Sequence, residues 1–186
     1  YMGLNRGEML TWSGHLIHLD CPSIEEIVLE DISHPLSQLC RYSGGTVTFY
    51  SVAQHSLNAY RLSREFYYDE KAQLYLLLHD ASEAYLSDVP TPVKKLLPGY
   101  LEMEGRLMES IHHHFGLEVP DSHYQRMVDM IDSDLLAYEI PALIPNLEKI
   151  KPDIPLLDIE LDFQVRDPDR VRLEFEETVK KIVKKL

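Results

Sequence analysis

The stretch "DEKAQLYLLLHDASEAYL", residues 69–86, decides the fold. Asp69 can cap a helix running from Glu70 to about Leu86, on which Leu74, Leu77, Leu78, Ala81 and Ala84 form a buried stripe. The same helix carries His79, Asp80 and Glu83 beside that hydrophobic wall, and Asp88 follows just before the break "VPTP", residues 89–92. Neighbouring helix residues point about 100° apart, so His79 and Asp80 converge only on a point close to the helix surface. A metal ion is such a point. Glu83 lies over the same face one turn later.

Working outward, Ser23 with Glu26 forms a capping box for a helix whose Ile24, Ile27, Val28 and Ile32 share a face. A short helix is expected over Leu36–Tyr42, stopping at Gly44 and Gly45. Another covers Val52–Phe66, with Val52, Leu57, Tyr60 and Leu62 apolar. Past the break, helices are expected over 99–115, 122–140 and 168–186. The last has Asp167 as cap, Pro168 at its first position and Lys180, Lys181, Lys184 and Lys185 at its C-terminus, where cations favour the dipole. Near the N-terminus, "MLTWSGHLIHL", residues 9–19, alternates about Ser13-Gly14 and reads as a β-hairpin. Residues 141–167 are rich in proline and read as a surface connection. The expected fold is mostly α-helical: a single domain over 1–186, with a hairpin at 9–19, a helical core at 23–140 and a C-terminal helix at 168–186.

Composition bounds the function. At 186 residues and 45% hydrophobic content the chain suits one domain with a sizeable core. Its net charge of −13 argues against general nucleic-acid binding, which needs a basic face. An anionic substrate must therefore meet local positive charge or a metal. With no apolar run of about 18 residues and no secretion signal, no membrane partner is expected, and a soluble cytoplasmic protein is. Cys21 and Cys40 are expected to be reduced thiols.

The remaining chemistry recurs at helical positions. His55 lies in "YSVAQHSLNAY", residues 50–60, and Asp132 in "MIDSDLLAYE", residues 130–139. With His79 and Asp80 they offer two imidazoles and two carboxylates from three helices, a mix suited to Mn, Co, Fe, Ni or Zn. Asp134 is the alternative fourth ligand. His112–His114 look like a metal tract, but three consecutive helix residues diverge around the axis, so surface and core positions are expected. His34, before Pro35, reads as a helix-start residue or a phosphate contact. Lys94 and Lys95 read as solvated unless one meets substrate, and Trp12 as a hairpin or core residue.

"YSVAQHS" and "HDASEAYLSDVPTPVKK", residues 79–95, resemble the HD-domain phosphohydrolases, within them the 5'-deoxyribonucleotidase-like group, whose metal-binding signature is H…HD…D. The likeness runs from Trp12 to Glu139. It implies an HD-domain helical bundle with one divalent ion, Mg included among the candidates. It implies His55, His79, Asp80 and Asp132 as metal ligands, with Glu139 seven residues beyond Asp132 matching the pattern. It places Glu83 and Asp88 beside the activated water and Arg41, fourteen residues before His55, on the substrate phosphate. The family commonly has tryptophan after that arginine; here Tyr42 follows. The implied partner is a small-molecule deoxynucleotide, with association into a homo-oligomer through helices. A deoxynucleoside 5'-monophosphate is the first expectation; a triphosphohydrolase releasing tripolyphosphate and a non-catalytic nucleotide-binding module are the rivals. Between the two acids, Glu83 is expected to orient or deprotonate the water and Asp88 to protonate the leaving sugar oxygen.

Overall fold

The computed structural model describes residues 4–145 and 157–186. Strands β1 (Glu8–Leu10) and β2 (Leu16–His18) pair antiparallel, with Met9 opposite Ile17, and make the expected hairpin. Eight helices follow among the described residues: α1 (Leu29–Gln38), α2 (Val52–Glu65), α3 (Glu70–Leu78), α4 (Glu83–Leu86), α5 (Thr91–Lys94), α6 (Tyr100–His114), α7 (Ser122–Leu143) and α8 (Pro168–Val183). The fold is thus mostly helical with a small sheet.

The expected helix over 70–86 is two helices. Asp69 caps α3 by accepting from the Ala72 N–H at 2.7 Å. Past Leu78 the backbone tightens: the N–H groups of Ala81, Glu83 and Ala84 donate to carbonyls three residues back. The tighter winding draws successive side chains out of the regular 100° spacing, and it falls on His79 and Asp80. Burial is also wider than a stripe, since Leu74, Leu76, Leu77 and Leu78 are all fully buried. A helix apolar on every side lies inside a bundle, and α3 packs against α2, α7 and α8. Each of those leucines contributes about 2 kcal/mol as an upper estimate.

The start of the chain departs in a second place. The capping box at Ser23 exists, with Glu26 Oε2 accepting from the Ser23 N–H at 3.1 Å, but it begins only a 3-10 turn over Ile24–Glu26. The helix then begins at Leu29 and runs through Pro35. Ile32 and Leu36, four residues apart and both fully buried, pack one above the other across the proline. Their burial outweighs the lost backbone bond. The expected helix over 36–42 therefore ends at Gln38, and Arg41–Gly44 form a separate 3-10 turn.

Helix α7 continues three residues beyond expectation, through Pro141, and α8 stops at Val183. Of the connection expected at 141–167, residues 146–156 lie outside the described residues. Asp162 and Gln164 lie against α2: their carbonyls accept from Asn58 Nδ2 and Gln54 Nε2 at 2.9 and 3.0 Å. Among the described residues no helix is long and apolar enough to cross a membrane.

Candidate metal centre

Three helices and one turn bring the chemistry together. On α2, Ser51 caps the helix by accepting from the Gln54 N–H, which starts the first turn so that His55 is fully buried. Its Nδ1 lies 2.6 Å from Glu139 Oε1. At the end of α3, His79 Nδ1 lies 2.6 Å from the Leu76 carbonyl oxygen, which can only accept. Both Nδ1 atoms are therefore donors, and both Nε2 atoms are left facing one another at 3.1 Å.

Two carboxylates close on those nitrogens. Asp80 Oδ2 lies 3.3 Å from His79 Nε2 and 3.6 Å from His55 Nε2. Asp132 Oδ1, from α7, lies 3.1 Å from His55 Nε2 and 3.7 Å from His79 Nε2. An ion with bonds of about 2.1 Å sets neighbouring donors about 3.0–3.5 Å apart, so this spacing fits a divalent cation. The donor atoms of His55, His79 and Asp80 all lie within 4.8 Å of one another. Asp134 stands elsewhere, where its charge acts on the Tyr68 hydroxyl, so of the two candidate acids it is Asp132 that meets the histidines.

Electrostatics agree with a site built for positive charge. Although burial opposes it, Asp80 and Asp132 push the His79 imidazole up to about 9. Asp132, against its own burial, is held far below the usual carboxylate range by the two imidazoles that face it, His55 and His79. Without an ion, a proton on His79 supplies the charge these carboxylates require.

Glu139 is the residue whose role the sequence did not disclose. Fully buried on α7, it accepts from Tyr50 Oη at 2.9 Å, Tyr42 Oη at 2.7 Å and Arg41 Nη2 at 3.4 Å besides His55. Burial raises its carboxyl pKa, but His55 and Arg41 outweigh this and hold it at about 2. Its available signal was the seven-residue spacing from Asp132, two turns on one helix face.

Beside the centre opens a cavity of about 460 Å³ lined by Arg41, Tyr42, Asp80, Glu83, Asp88, Lys94 and Asp132, among others. Arg41 reaches it because the loop after α1 closes on itself, the Arg41 N–H donating to the Tyr50 carbonyl at 2.9 Å. Its Nη1 makes a long contact of 3.3 Å to Asp80, and its Nε is buried without a partner among the described residues. Tyr42 and Ser43 follow with φ of 56° and 52°, a left-handed turn that non-glycine residues rarely adopt. Glu83 is 5% exposed; burial first, then the Asp80 and Asp88 charges, push its carboxyl up to about 9. In the ion-free chain this favours the protonated carboxyl near neutrality. Asp88 is raised as well, chiefly by burial. Lys94 spans Glu83 Oε1 at 3.4 Å and Glu104 Oε1 at 2.6 Å, so it is a cavity residue, whereas Lys95 is exposed.

The other candidates fall outside the centre. His112 is buried while His113 and His114 are exposed, as divergence around the axis requires. Trp12 is 55% exposed and stacks on His34 with ring centroids 4.4 Å apart.

Fold and centre together define a helical protein in which two histidines and two aspartates from three segments meet beside a polar cavity. No family model matches the chain. It is 38% identical over 122 residues to the uncharacterized protein YfdR of Escherichia coli (strain K12), a match spanning 65% of each protein. It is 35% identical over 175 residues to the uncharacterized protein RCAP_rcc00048 of Rhodobacter capsulatus, covering 88% of this chain and 89% of that protein. The chain belongs to the family of that Rhodobacter protein.

Proposed function

We propose that the chain is a metal-dependent phosphohydrolase of the HD type, cleaving the 5'-phosphate ester of deoxyribonucleotides, monophosphates first. One observation carries the reading: the His55, His79, Asp80 and Asp132 donors converge on the edge of a polar cavity that also presents Arg41, Lys94 and the buried Glu83. The likeness of residues 79–95 to the HD motif supports it. A divalent ion on these donors would lower the pKa of a water from about 15.7 towards 7 and draw charge from a phosphoryl oxygen.

The chain's own residues supply the rest. Arg41 turns its guanidinium from the long Asp80 contact to the phosphate, where its planar fork offers two donors. Attacking water and leaving oxygen stand nearly in line, so acid and base act from opposite sides. Glu83, whose carboxyl burial pushes up first of all, is the group placed to hold a proton for the leaving sugar oxygen, and Asp88 orients the attacking water. This reverses the division expected from helix position alone.

A monophosphate suits the cavity better than a triphosphate, because its lining sets two cations, Arg41 and Lys94, against the four acids Asp80, Glu83, Asp88 and Asp132. Protein purified without chelator should carry one divalent ion per chain and release orthophosphate from deoxynucleoside monophosphates. Tripolyphosphate from triphosphates would select the triphosphohydrolase. Full metal occupancy in both His79→Ala and Asp80→Ala would put the ion elsewhere.

A further inference from the structure

A second cavity, of about 320 Å³, opens where α3, α6 and α7 meet. Helix α6 lends it Gly105, Met108, Glu109 and His112, spaced i, i+3, i+4 and i+7 along one stripe. From α3 comes Tyr75, from the turn just after it His79, and from α7 Gln125 and Val128. Its lining and that of the polar cavity have no residue in common. His79 stands at the boundary, its Nε2 turned to the metal centre.

Two features here cost stability and gain nothing from packing. Gly105 sits inside a 15-residue helix, where glycine is about 0.5–1 kcal/mol worse than alanine, yet a Cβ built on it meets nothing within 4 Å. His112 is only 6% exposed and neither ring nitrogen is hydrogen-bonded to a described residue; Nδ1 is sealed from water altogether. Leaving a buried polar group unpaired costs about 1–3 kcal/mol. Burial, with His113 adding to it, pushes the ring down to about 4, so it is neutral. A proton on Nδ1 would have no acceptor among the described residues, which places it on Nε2, the ring nitrogen that is not sealed, on a side chain that lines the cavity. Tyr75 stands edge-on to the imidazole, centroids 5.2 Å apart at 88°, and fixes its plane.

We infer that this cavity binds a neutral aromatic heterocycle of nucleobase size, as a molecule separate from the substrate, with an acceptor on His112 Nε2–H. Tyr75, Met108, Val119 and Val128 supply apolar walls for a flat ring. Glu109 and the Gln125 amide oxygen can accept from its N–H edge. Among the described residues no lysine or arginine lines the cavity, and both nitrogens of His79 are engaged elsewhere, Nδ1 by the Leu76 carbonyl and Nε2 by Asp80 and Asp132, so a phosphate or carboxylate would be unpaired there. The occupant would lie against His79 and couple to the metal centre through it, in both directions. The inference does not rest on the phosphohydrolase reading.

Calorimetric titration with adenine, together with the ring-nitrogen resonances of His112, reads the site without turnover. One saturable site is expected, with those resonances shifting. Gly105→Leu, whose side chain grows into the cavity from a position with room for it, should weaken binding about tenfold or more while melting no lower than wild type; Arg41→Ala should bind adenine as wild type does. Indole, equally flat but without an acceptor, should bind about tenfold more weakly. Absence of saturable binding, loss in Arg41→Ala, undiminished binding in Gly105→Leu, or equal affinity for indole would each overturn the assignment.

Discussion

His55 Nδ1 donates to Glu139 Oε1 at 2.6 Å, and both side chains are fully buried. The carboxylate fixes which imidazole nitrogen carries the proton and so frees Nε2 for an ion. Glu139→Gln keeps the volume but brings an amide N–H₂ group against donors from Tyr42, Tyr50, Arg41 or His55. Divalent-ion affinity should fall about 10–100-fold with the fold intact. Titration against a competing chelator measures this, and unchanged affinity would detach Glu139 from the centre.

Metal uptake at pH 7 should release protons. His79 in the metal-free chain titrates at about 9, so near neutrality its Nε2 bears a proton that an ion must displace. Its folded pKa lies above the ordinary 6.5. The stabilisation it gives the metal-free chain is thus complete below about 6.5 and lost as pH rises through 9, while ion affinity climbs over the same window. Calorimetry in buffers of different ionisation enthalpy should count about one proton per ion. A count of zero would mean that His79 is no ligand.

Much of this centre was legible because it rests on short-range rules. His79 and Asp80 adjoin an apolar run, His55 follows a capped helix start, and Asp132 with Glu139 keep a two-turn spacing. What stayed hidden depends on contacts distant in sequence. The tightening after Leu78 has no local signature, because "HDASEAYL" is sound helical sequence; it is set where the chain must bring His79 and Asp80 to His55. The burial of Ile32 and Leu36 that carries α1 through Pro35 is likewise tertiary. The proton on Glu83 was illegible for the same reason: burial and the Asp80 and Asp88 charges put it there.

Ser87 precedes Asp88 with φ 67° and ψ 158°, a conformation close to glycine-only territory. Ser87→Gly should relieve the strain, offset in part by the freer unfolded chain, and stabilise by about 0.5–1 kcal/mol. The melting temperature should rise about 1–4 °C. A lower one would show that the turn is not strained.

The assignment of the two acids is the most exposed claim, because each sits in the same cavity and only burial separates them. Glu83 binds its proton more tightly folded than unfolded, so its raised pKa weakens the fold increasingly from about pH 4.5 to about 9. Glu83→Gln removes that penalty and should raise the melting temperature by a few degrees at pH 8 and by little at pH 4. Turnover of a deoxynucleoside monophosphate should nonetheless fall about 10²–10⁴-fold in both Glu83→Gln and Asp88→Asn, the range for a positioned acid or base, with the ion retained. On p-nitrophenyl phosphate, whose leaving group departs without a proton, Glu83→Gln should recover much of its rate and Asp88→Asn should not. Recovery in Asp88→Asn alone would restore the division expected from helix position, with Asp88 as the acid. Equal defects on both substrates would remove any division of labour, leaving the two carboxyls as a pair that shares one proton.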